Sequence, residues 1–370
     1  MKKILSYTIV LIFSLIYGVL IGKYEFFPYG ILKSFDDYFE KETKIEEEEI
    51  LNIQISPESL ISVSANNLDS IQIDLNAILF GSPTLPDNLP DTIFEIQDKE
   101  YSDLIGLEKI EQFEILMDDN VNSIGYIFNP KESNNRIVIY HQGHRGDFLN
   151  GKSTIRYFVE RGFTVYAFCM PLLGKNNQPI IHDSKLGEFR LSGHERLKFL
   201  DNPLKYFISP VISMINYAES KKYDEITMIG ISGGGWTTTL AAAADTRITN
   251  SFPVAGTYPM YIRFQKPIKN YGDFEQTYEK LYSRINYLDM YIMGSIGEHR
   301  KQIQVLNKYD PCCFNGNYYE SYDYIISQKV GEFEKGYFDV FIDSTHFEHK
   351  ISDFALTKIN DVMNSAPNKK

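Results

Sequence analysis

The stretch Met228-Ile-Gly-Ile-Ser-Gly-Gly-Gly-Trp236 places one serine among four glycines, directly after a run of apolar, β-prone residues. Within it, the pattern Gly230-x-Ser232-x-Gly234 follows EITMIGI and precedes the small-residue run GWTTTLAAAA. A strand that turns sharply into a helix here would hold the serine in a strained backbone conformation, and glycines would relieve the crowding. The position of the pattern between a strand and a helix therefore predicts that Ser232 is a nucleophile at a strand end.

The chain around this stretch alternates between predicted strands and helices. Near-continuous apolar runs such as RIVIY, FTVYAFCM and EITMIGIS are typical of parallel strands that helices cover on both faces. Strands are predicted at residues 110–117, 123–128, 136–140, 164–169, 225–231, 249–254, 289–293 and 338–342. Helices are predicted near residues 152–161, 203–221, 235–245, 298–307 and 351–363. We expect an α/β fold with a mostly parallel sheet of about eight strands and helices on both faces.

On these features the chain resembles the α/β-hydrolase family from about residue 106 to residue 370. The resemblance implies a catalytic triad in the chain order serine, acid, histidine, with the acid and the histidine after later strands. Asp310 in LNKYDPCCF is the expected acid, and Glu298, at the start of a predicted helix, is the alternative. The loop after the last strand carries two histidines. His349 is the expected base, and His346 is the alternative.

The chemistry requires these residue types. A serine hydroxyl is a weak nucleophile that needs an imidazole base, and the imidazole needs a carboxylate to fix its tautomer. A developing oxyanion needs preorganised donors, for which the N–H of Gly233 is the first candidate. The loop His141-Gln-Gly-His-Arg-Gly146 resembles the family's oxyanion loops. If Gly143 matches the motif's glycine, the N–H of His144 is the second donor.

The resemblance thus implies a serine hydrolase that cleaves a carboxylic ester, of a small molecule or a glycan, through an acyl-enzyme. A peptidase or an acyltransferase would use the same residues, and an inactive domain of this fold used for binding is a further alternative. No metal or organic cofactor is needed for this chemistry. The acyl group, the alcohol and the oligomeric state stay open at this point.

The N-terminus differs from the rest of the chain. Lys2 and Lys3 precede residues 4–22, a segment without a charged side chain whose length approaches the ~20 residues of a membrane-spanning helix. We expect an uncleaved signal anchor at 1–22, with a cleaved signal peptide and a buried core helix as alternatives. The positive-inside rule then puts the globular part on the periplasmic or extracellular side.

Residues 23–105 are expected to form a linker and a small N-terminal element. The hydrolase domain is expected at 106–370, with a lid-like insertion at 171–204 because this connection is long. The formal charge of −12 argues against a nucleic-acid partner, since phosphate binding is built on clustered Lys and Arg. Cys169, Cys312 and Cys313 are too few for a disulfide scaffold and are expected to be small buried hydrophobic residues.

Overall fold

The structure is a computed structural model that describes residues 13–14, 16–17, 56–183, 187–264 and 272–365. The chain divides into two compact units, residues 1–52 and residues 53–370. Of the predicted anchor at 1–22, only the four described residues can be compared, and they are helical and exposed. The remainder of that prediction lies outside the described residues. Within the described part of the chain, no helix is long and apolar enough to cross a membrane.

The second unit alternates strands and helices, as its apolar runs predict. Its strands are β1 Thr92–Ile96, β2 Leu107–Leu116, β3 Asn122–Pro130, β4 Arg136–His141, β5 Thr164–Phe168, β6 Ile180–Asp183, β7 Gly187–Arg190, β8 Glu225–Ile231, β9 Asn250–Val254, β10 Lys301–Asn307 and β11 Tyr337–Asp343. Its α-helices are α1 Leu68–Phe80, α2 Lys152–Val159, α3 His194–Leu197, α4 Lys205–Lys221, α5 Gly233–Ala244, α6 Met260–Arg263, α7 Glu279–Tyr282, α8 Tyr287–Ser295, α9 Asp323–Gly331 and α10 Asp353–Asn364.

The main sheet has nine strands in the order β1-β2-β3-β5-β4-β8-β9-β10-β11. The six strands from β5 to β11 in this order are parallel, whereas β1, β2 and β3 form an antiparallel edge. The sheet is therefore mostly parallel, as predicted. It has nine strands rather than eight, because β1 and β10 also join it and the predicted strand at 289–293 is a helix. The predicted domain boundary at residue 106 falls inside this unit, since β1 pairs with β2.

Helices cover both faces of the parallel part of the sheet. On one face, Ile155 and Phe158 of α2 and Leu356 and Ile359 of α10 belong to one buried cluster with apolar side chains of the central strands. On the other face, α5 lies against β8 and β9 and packs on α4 and α8. Every residue of α5 is buried, which explains its glycines and alanines, since small residues let a helix approach a sheet closely.

The apolar run 289–293, predicted as a strand, lies in helix α8, so this prediction is wrong. All nine residues of α8 are buried, and a helix without a polar face shows no helical period in its sequence. The feature of the sequence that distinguishes a helix from a strand here is the start of the helix. The side chains of Asn286 and Asp289 form a capping box at the start of α8.

Residues 298–307, predicted as a helix, form a turn followed by strand β10, so this prediction is also wrong. Polar and apolar side chains alternate from Gln302 to Val305 in β10. Ile303 and Val305 join the cluster under α10, whereas Gln304 faces the other side, where it accepts a hydrogen bond from Tyr322 at 2.7 Å. Amide side chains are tolerated in a buried strand when they are hydrogen-bonded. The glutamines of β10 are therefore buried, although polar residues in a sequence usually indicate an exposed face.

We expect the capping box of α8 to contribute measurably to stability. Asn286 Oδ1 accepts from Leu288 N at 2.8 Å, and its Nδ2 donates to Leu60 O at 2.6 Å. Asn286→Ala should lower the free energy of unfolding by about 1–2 kcal/mol, measured by urea denaturation. Asn286→Ser keeps a capping oxygen and should recover part of this loss. Equal stability of all three proteins would contradict the assigned role.

Candidate active site

Ser232 lies at the turn from β8 into α5, with a left-handed backbone conformation of φ 58° and ψ −122°. Such a conformation costs a non-glycine residue about 1–3 kcal/mol and persists only where neighbouring structure enforces it. Here the N–H of Ser232 donates to Val254 O at 2.9 Å, and its carbonyl accepts from Trp236 N at 2.9 Å. A Cβ on Gly234 would lie 2.0 Å from His141 O. Glycine is thus required where the strand, the turn and the neighbouring strand β4 meet.

The structure brings Asp310 and His349 together, although 39 residues separate them. Asp310 follows β10, and His349 follows β11, which pairs with β10 in parallel. The Nδ1–H of His349 donates to Asp310 Oδ2 at 2.6 Å, and both side chains are buried. The other ring nitrogen, His349 Nε2, is buried without a hydrogen-bond partner among the described residues. The tautomer of this imidazole is therefore fixed, and its Nε2 is available to accept a proton.

Further donors orient the carboxylate of Asp310. Its Oδ1 accepts from the backbone N–H groups of Cys312 at 2.8 Å and Cys313 at 3.1 Å. Its Oδ2 is also 3.3 Å from Asn307 Nδ2, which donates to the carbonyl of Lys350 at 2.9 Å as well. Asn307 therefore links the end of β10 to the loop that carries His349. These bonds fix the orientation of the carboxylate towards His349.

Two of the three cysteines differ from the expectation. Cys312 and Cys313 are joined to each other by a disulfide and are exposed and half-buried, rather than packed as separate buried thiols. Cys169 is free and buried, as expected. The sulfur atoms of the disulfide lie within 4.8 Å of a ring nitrogen of His349.

His346, the alternative base, belongs to a different network. Its Nδ1 accepts from Glu348 N at 3.1 Å, and its Nε2 lies 3.3 Å from Asp343 Oδ2 without hydrogen-bond alignment. Asp343 also accepts from Ser352 Oγ, and that hydroxyl accepts in turn from Ala355 N at the start of α10. The first ring nitrogen is occupied and the second faces a carboxylate. His346 therefore belongs to the structure that caps helix α10.

Glu298, the alternative acid, lies at the opposite edge of the sheet. It precedes β10, whereas Asp310 follows it, and a seven-residue strand separates the two edges by roughly 20 Å. The Glu298 side chain is exposed and lies 3.5 Å from Lys335 Nζ. The alternative acid is therefore remote from Ser232, because its prediction assumed a helix where β10 lies.

The loop after β4 lies directly over the elbow. A Cβ on Gly143 would be 2.7 Å from Ser232 Cβ and 2.6 Å from the carbonyl oxygen of Ile231. A Cβ on Gly233 would meet the ring of His144, whose Cε1 is 2.5 Å away. Among the described residues, no acceptor is found for the N–H of Gly233 or of His144. The loop that carries His144 thus lies against the turn that carries Ser232 and Gly233.

The ring of His144 has partners that no sequence motif indicates. Its Nε2 lies 2.9 Å from Glu275 Oε1 and 2.9 Å from Asp273 Oδ2. Burial lowers the pKa of His144, but hydrogen bonds and the charges of the two carboxylates outweigh burial and raise the pKa to about 9. Burial raises the pKa of Glu275, but hydrogen bonds from His144 and His194 outweigh it and lower the pKa below its usual value.

His141, the first residue of the predicted oxyanion loop, is a packing group. Its side chain is buried, stacks on Phe168 with a centroid distance of 5.8 Å, and contacts Gln142 O through Nδ1 at 2.9 Å. Burial lowers its pKa to about 4, so the ring is neutral at physiological pH.

The predicted insertion at 171–204 contains the β6–β7 hairpin and helix α3. Its His194 reaches the site, with the ring centroid 5.0 Å from that of His144. His182 and Arg190, also in this insertion, are exposed on the hairpin.

We expect Gly143 to tolerate no side chain, because a methyl group would meet the elbow backbone and Ser232. Gly143→Ala should lower the free energy of unfolding by about 1–3 kcal/mol, measured by urea denaturation. Gly193→Ala is the matched control. Gly193 has an extended backbone with φ 177°, and a Cβ there would meet no heavy atom within 4 Å. Equal stability of the two variants would contradict the close approach of this loop to Ser232.

Comparisons with known proteins agree with this architecture. No protein-family model and no curated protein sequence matches the chain. Among solved structures, it is similar to an acetyl xylan esterase from Paenibacillus sp. R4, with 14% identity, coverage of 83% of this chain and 97% of that chain, and a TM-score of 0.51. Acetyl xylan esterase 1 from Thermoanaerobacterium sp. JW/SL YS485 has 13% identity, coverage of 82% and 99%, and a TM-score of 0.53.

The methylesterase BT1017 has 12% identity, coverage of 84% of this chain and 65% of that chain, and a TM-score of 0.58. All three are esterases of the α/β-hydrolase fold. At such identities a structural likeness establishes the fold. The nine-stranded sheet, the elbow at Ser232 and these neighbours together show that this chain has the α/β-hydrolase fold.

Proposed function

We propose that the protein is a serine hydrolase that cleaves a carboxylic ester through an acyl-enzyme intermediate. The observation that supports this best is the pair of Asp310 and His349 at the sheet edge where Ser232 ends β8. One ring nitrogen of His349 is bonded to Asp310, and the other has no protein partner among the described residues. An imidazole in this state is suited to accept a proton from a serine hydroxyl.

In the proposed mechanism, Ser232 Oγ attacks the ester carbonyl while His349 Nε2 takes the hydroxyl proton. The imidazolium that forms is stabilised by Asp310, whose carboxylate keeps its negative charge. The N–H groups of Gly233 and His144 donate to the oxyanion of the tetrahedral intermediate. His349 then returns the proton to the leaving alcohol, and a water molecule, activated by the same imidazole, releases the acid and restores Ser232.

His349 is proposed as the base in preference to His346 on hydrogen-bond grounds. A neutral imidazole has one donor and one acceptor nitrogen. In His346 the acceptor nitrogen already receives the N–H of Glu348, and the other nitrogen faces Asp343. With Nδ1 as the acceptor, the hydrogen of the neutral His346 ring is on Nε2, so neither nitrogen is placed to accept the Ser232 proton. Asp310 is preferred to Glu298 because of its position, since Glu298 lies at the other end of β10.

The substrate class rests on the neighbours. Two of the solved structures similar to this chain are named for acetyl esters of xylan, and one is a methylesterase. On the two acetyl xylan esterases we propose an ester of a short acyl group, with an acetylated carbohydrate tested first. Membrane anchoring through residues 1–22, with this domain on the periplasmic or extracellular side, stays a proposal that rests on the apolar segment and its preceding lysines.

Ser232→Ala should abolish labelling by a fluorophosphonate probe and hydrolysis of short-chain aryl esters. The probe reacts with a serine that a neighbouring base activates. Ser102→Ala, at an exposed serine whose hydroxyl bonds to Lys99 O at 2.8 Å, should leave both signals unchanged. Folded wild-type protein that neither reacts nor hydrolyses any ester would favour an inactive binding domain. Cleavage of peptides, or acyl transfer to an alcohol in preference to water, would favour the alternative activities.

The two histidines are separated by His349→Gln and His346→Gln, compared at equal concentration after circular dichroism has verified folding. His349→Gln should lower kcat/KM by roughly a thousandfold or more, because the base is lost. His346→Gln should change kcat/KM by less than about tenfold, since it removes only a contact at the start of α10. Turnover that survives in the first variant and collapses in the second would reverse the assignment.

A further inference from the structure

Four potential metal-binding side chains converge beside the oxyanion loop: His144, His194, Asp273 and Glu275, here termed the His144 cluster. Their ligand atoms all lie within 4.8 Å of one another. His144 Nε2 is 2.9 Å from oxygens of both carboxylates, and His194 Nδ1 is 3.3 Å from Glu275 Oε1. The four residues come from three segments that are far apart in sequence, so only the folded chain assembles them.

The tautomer of His194 supports a cation at the centre of the cluster. Its Nε2 lies 2.8 Å from the carbonyl oxygen of Pro171, which only accepts, so Nε2 carries a hydrogen. Nδ1, which faces Glu275 Oε1 at 3.3 Å, is then the ring nitrogen that can bind an ion. Histidine ligands of metals are commonly fixed in this way, with the outer nitrogen donating to a backbone carbonyl.

Glu275 gives the second, independent observation. Its side chain is fully buried, and its Oε2 has no hydrogen-bond partner among the described residues, although Oε1 contacts both imidazoles. A buried carboxylate oxygen without a partner is costly unless a cation or donor satisfies it. The adjacent Gln276 holds this segment in place, because its side chain accepts from the buried Arg263 at 2.9 Å.

We infer that the His144 cluster is a binding site for one divalent transition-metal ion, with zinc as the best fit. In the bound state both imidazoles are neutral, because the ion displaces the proton of His144, and with the two carboxylates they balance a double positive charge. This donor set suits zinc. Tetrahedral zinc with bonds of about 2.0–2.2 Å places its donors about 3.4 Å apart. The observed separations of 2.9 Å and 3.3 Å need to widen by only a few tenths of an ångström.

The ion would tie the oxyanion loop to the insertion at 171–204 and to the segment around Glu275. Its role is positional, because the His144 ring lies against Gly233 and the preceding Gly143 lies against Ser232. The half-exposed Asp273 leaves a route for the ion to enter from solvent. This inference goes beyond the proposed hydrolase activity and does not depend on it, since zinc binding and ester turnover are measured separately.

The test uses the full chain purified without a histidine tag, stripped with EDTA, incubated with Zn²⁺ alone and dialysed. Elemental analysis should find about one zinc per wild-type chain, and saturating Zn²⁺ should raise Tm by about 5 °C. Asp273→Asn, a half-exposed change that leaves the core intact, should weaken zinc binding at least about tenfold because one anionic ligand is lost. His194→Ala should weaken it further. Co²⁺ in place of zinc should give visible absorption bands in the wild type.

Two controls make the result specific. His299→Ala removes an exposed histidine, 69% accessible, that lies 4.0 Å from Glu298, and it should bind zinc as the wild type does. Ser232→Ala should lose turnover and keep its zinc, so that failure of the hydrolase proposal and failure of the metal proposal are distinguishable. Either of two results would overturn the site: a wild-type chain that retains no zinc, or Asp273→Asn and His194→Ala variants that bind zinc as tightly as the wild type.

Discussion

The strained backbone at Ser232 depends on a close approach of three chain segments. The serine turns out of β8 while its N–H is held by Val254 of β9, and the carbonyl of His141 at the end of β4 approaches Gly234 too closely for any side chain. The parallel register of β4, β8 and β9 sets this arrangement, because it aligns three carboxyl ends at one level. The strain is thus maintained by the sheet rather than by the turn itself.

Asp310 and His349 lie at this same edge of the sheet. In a parallel sheet, every strand ends on the same side, so residues that follow different strands meet there regardless of their separation in sequence. Asp310 follows β10 and His349 follows β11, and Asn307 connects the two loops. Backbone donors from Cys312 and Cys313 complete the shell around the carboxylate. The acid is therefore oriented by its own turn, and the histidine by the acid.

Sequence reasoning succeeded where local patterns and chain order carry the information. The elbow and seven of the strands in the sheet follow from apolar runs and their order, whereas Asp310 and His349 came from the family resemblance and stay proposals. It failed between residues 287 and 307. There a fully buried helix has the continuous apolar run that is typical of a strand, and a strand contains polar residues that are typical of an exposed helix. That failure made Glu298 a candidate acid, since the predicted helix placed it on the wrong side of β10.

The sequence by itself determined that a serine sits between a buried strand and a small-residue helix, because apolar runs and glycines act on neighbours along the chain. Only the tertiary structure decided which histidine is hydrogen-bonded to Asp310. It also assembled His144, His194, Asp273 and Glu275 into one cluster. The physical reason is that hydrogen-bond occupancy and charge convergence depend on distances between segments, and those distances exist only after the sheet has aligned its strands.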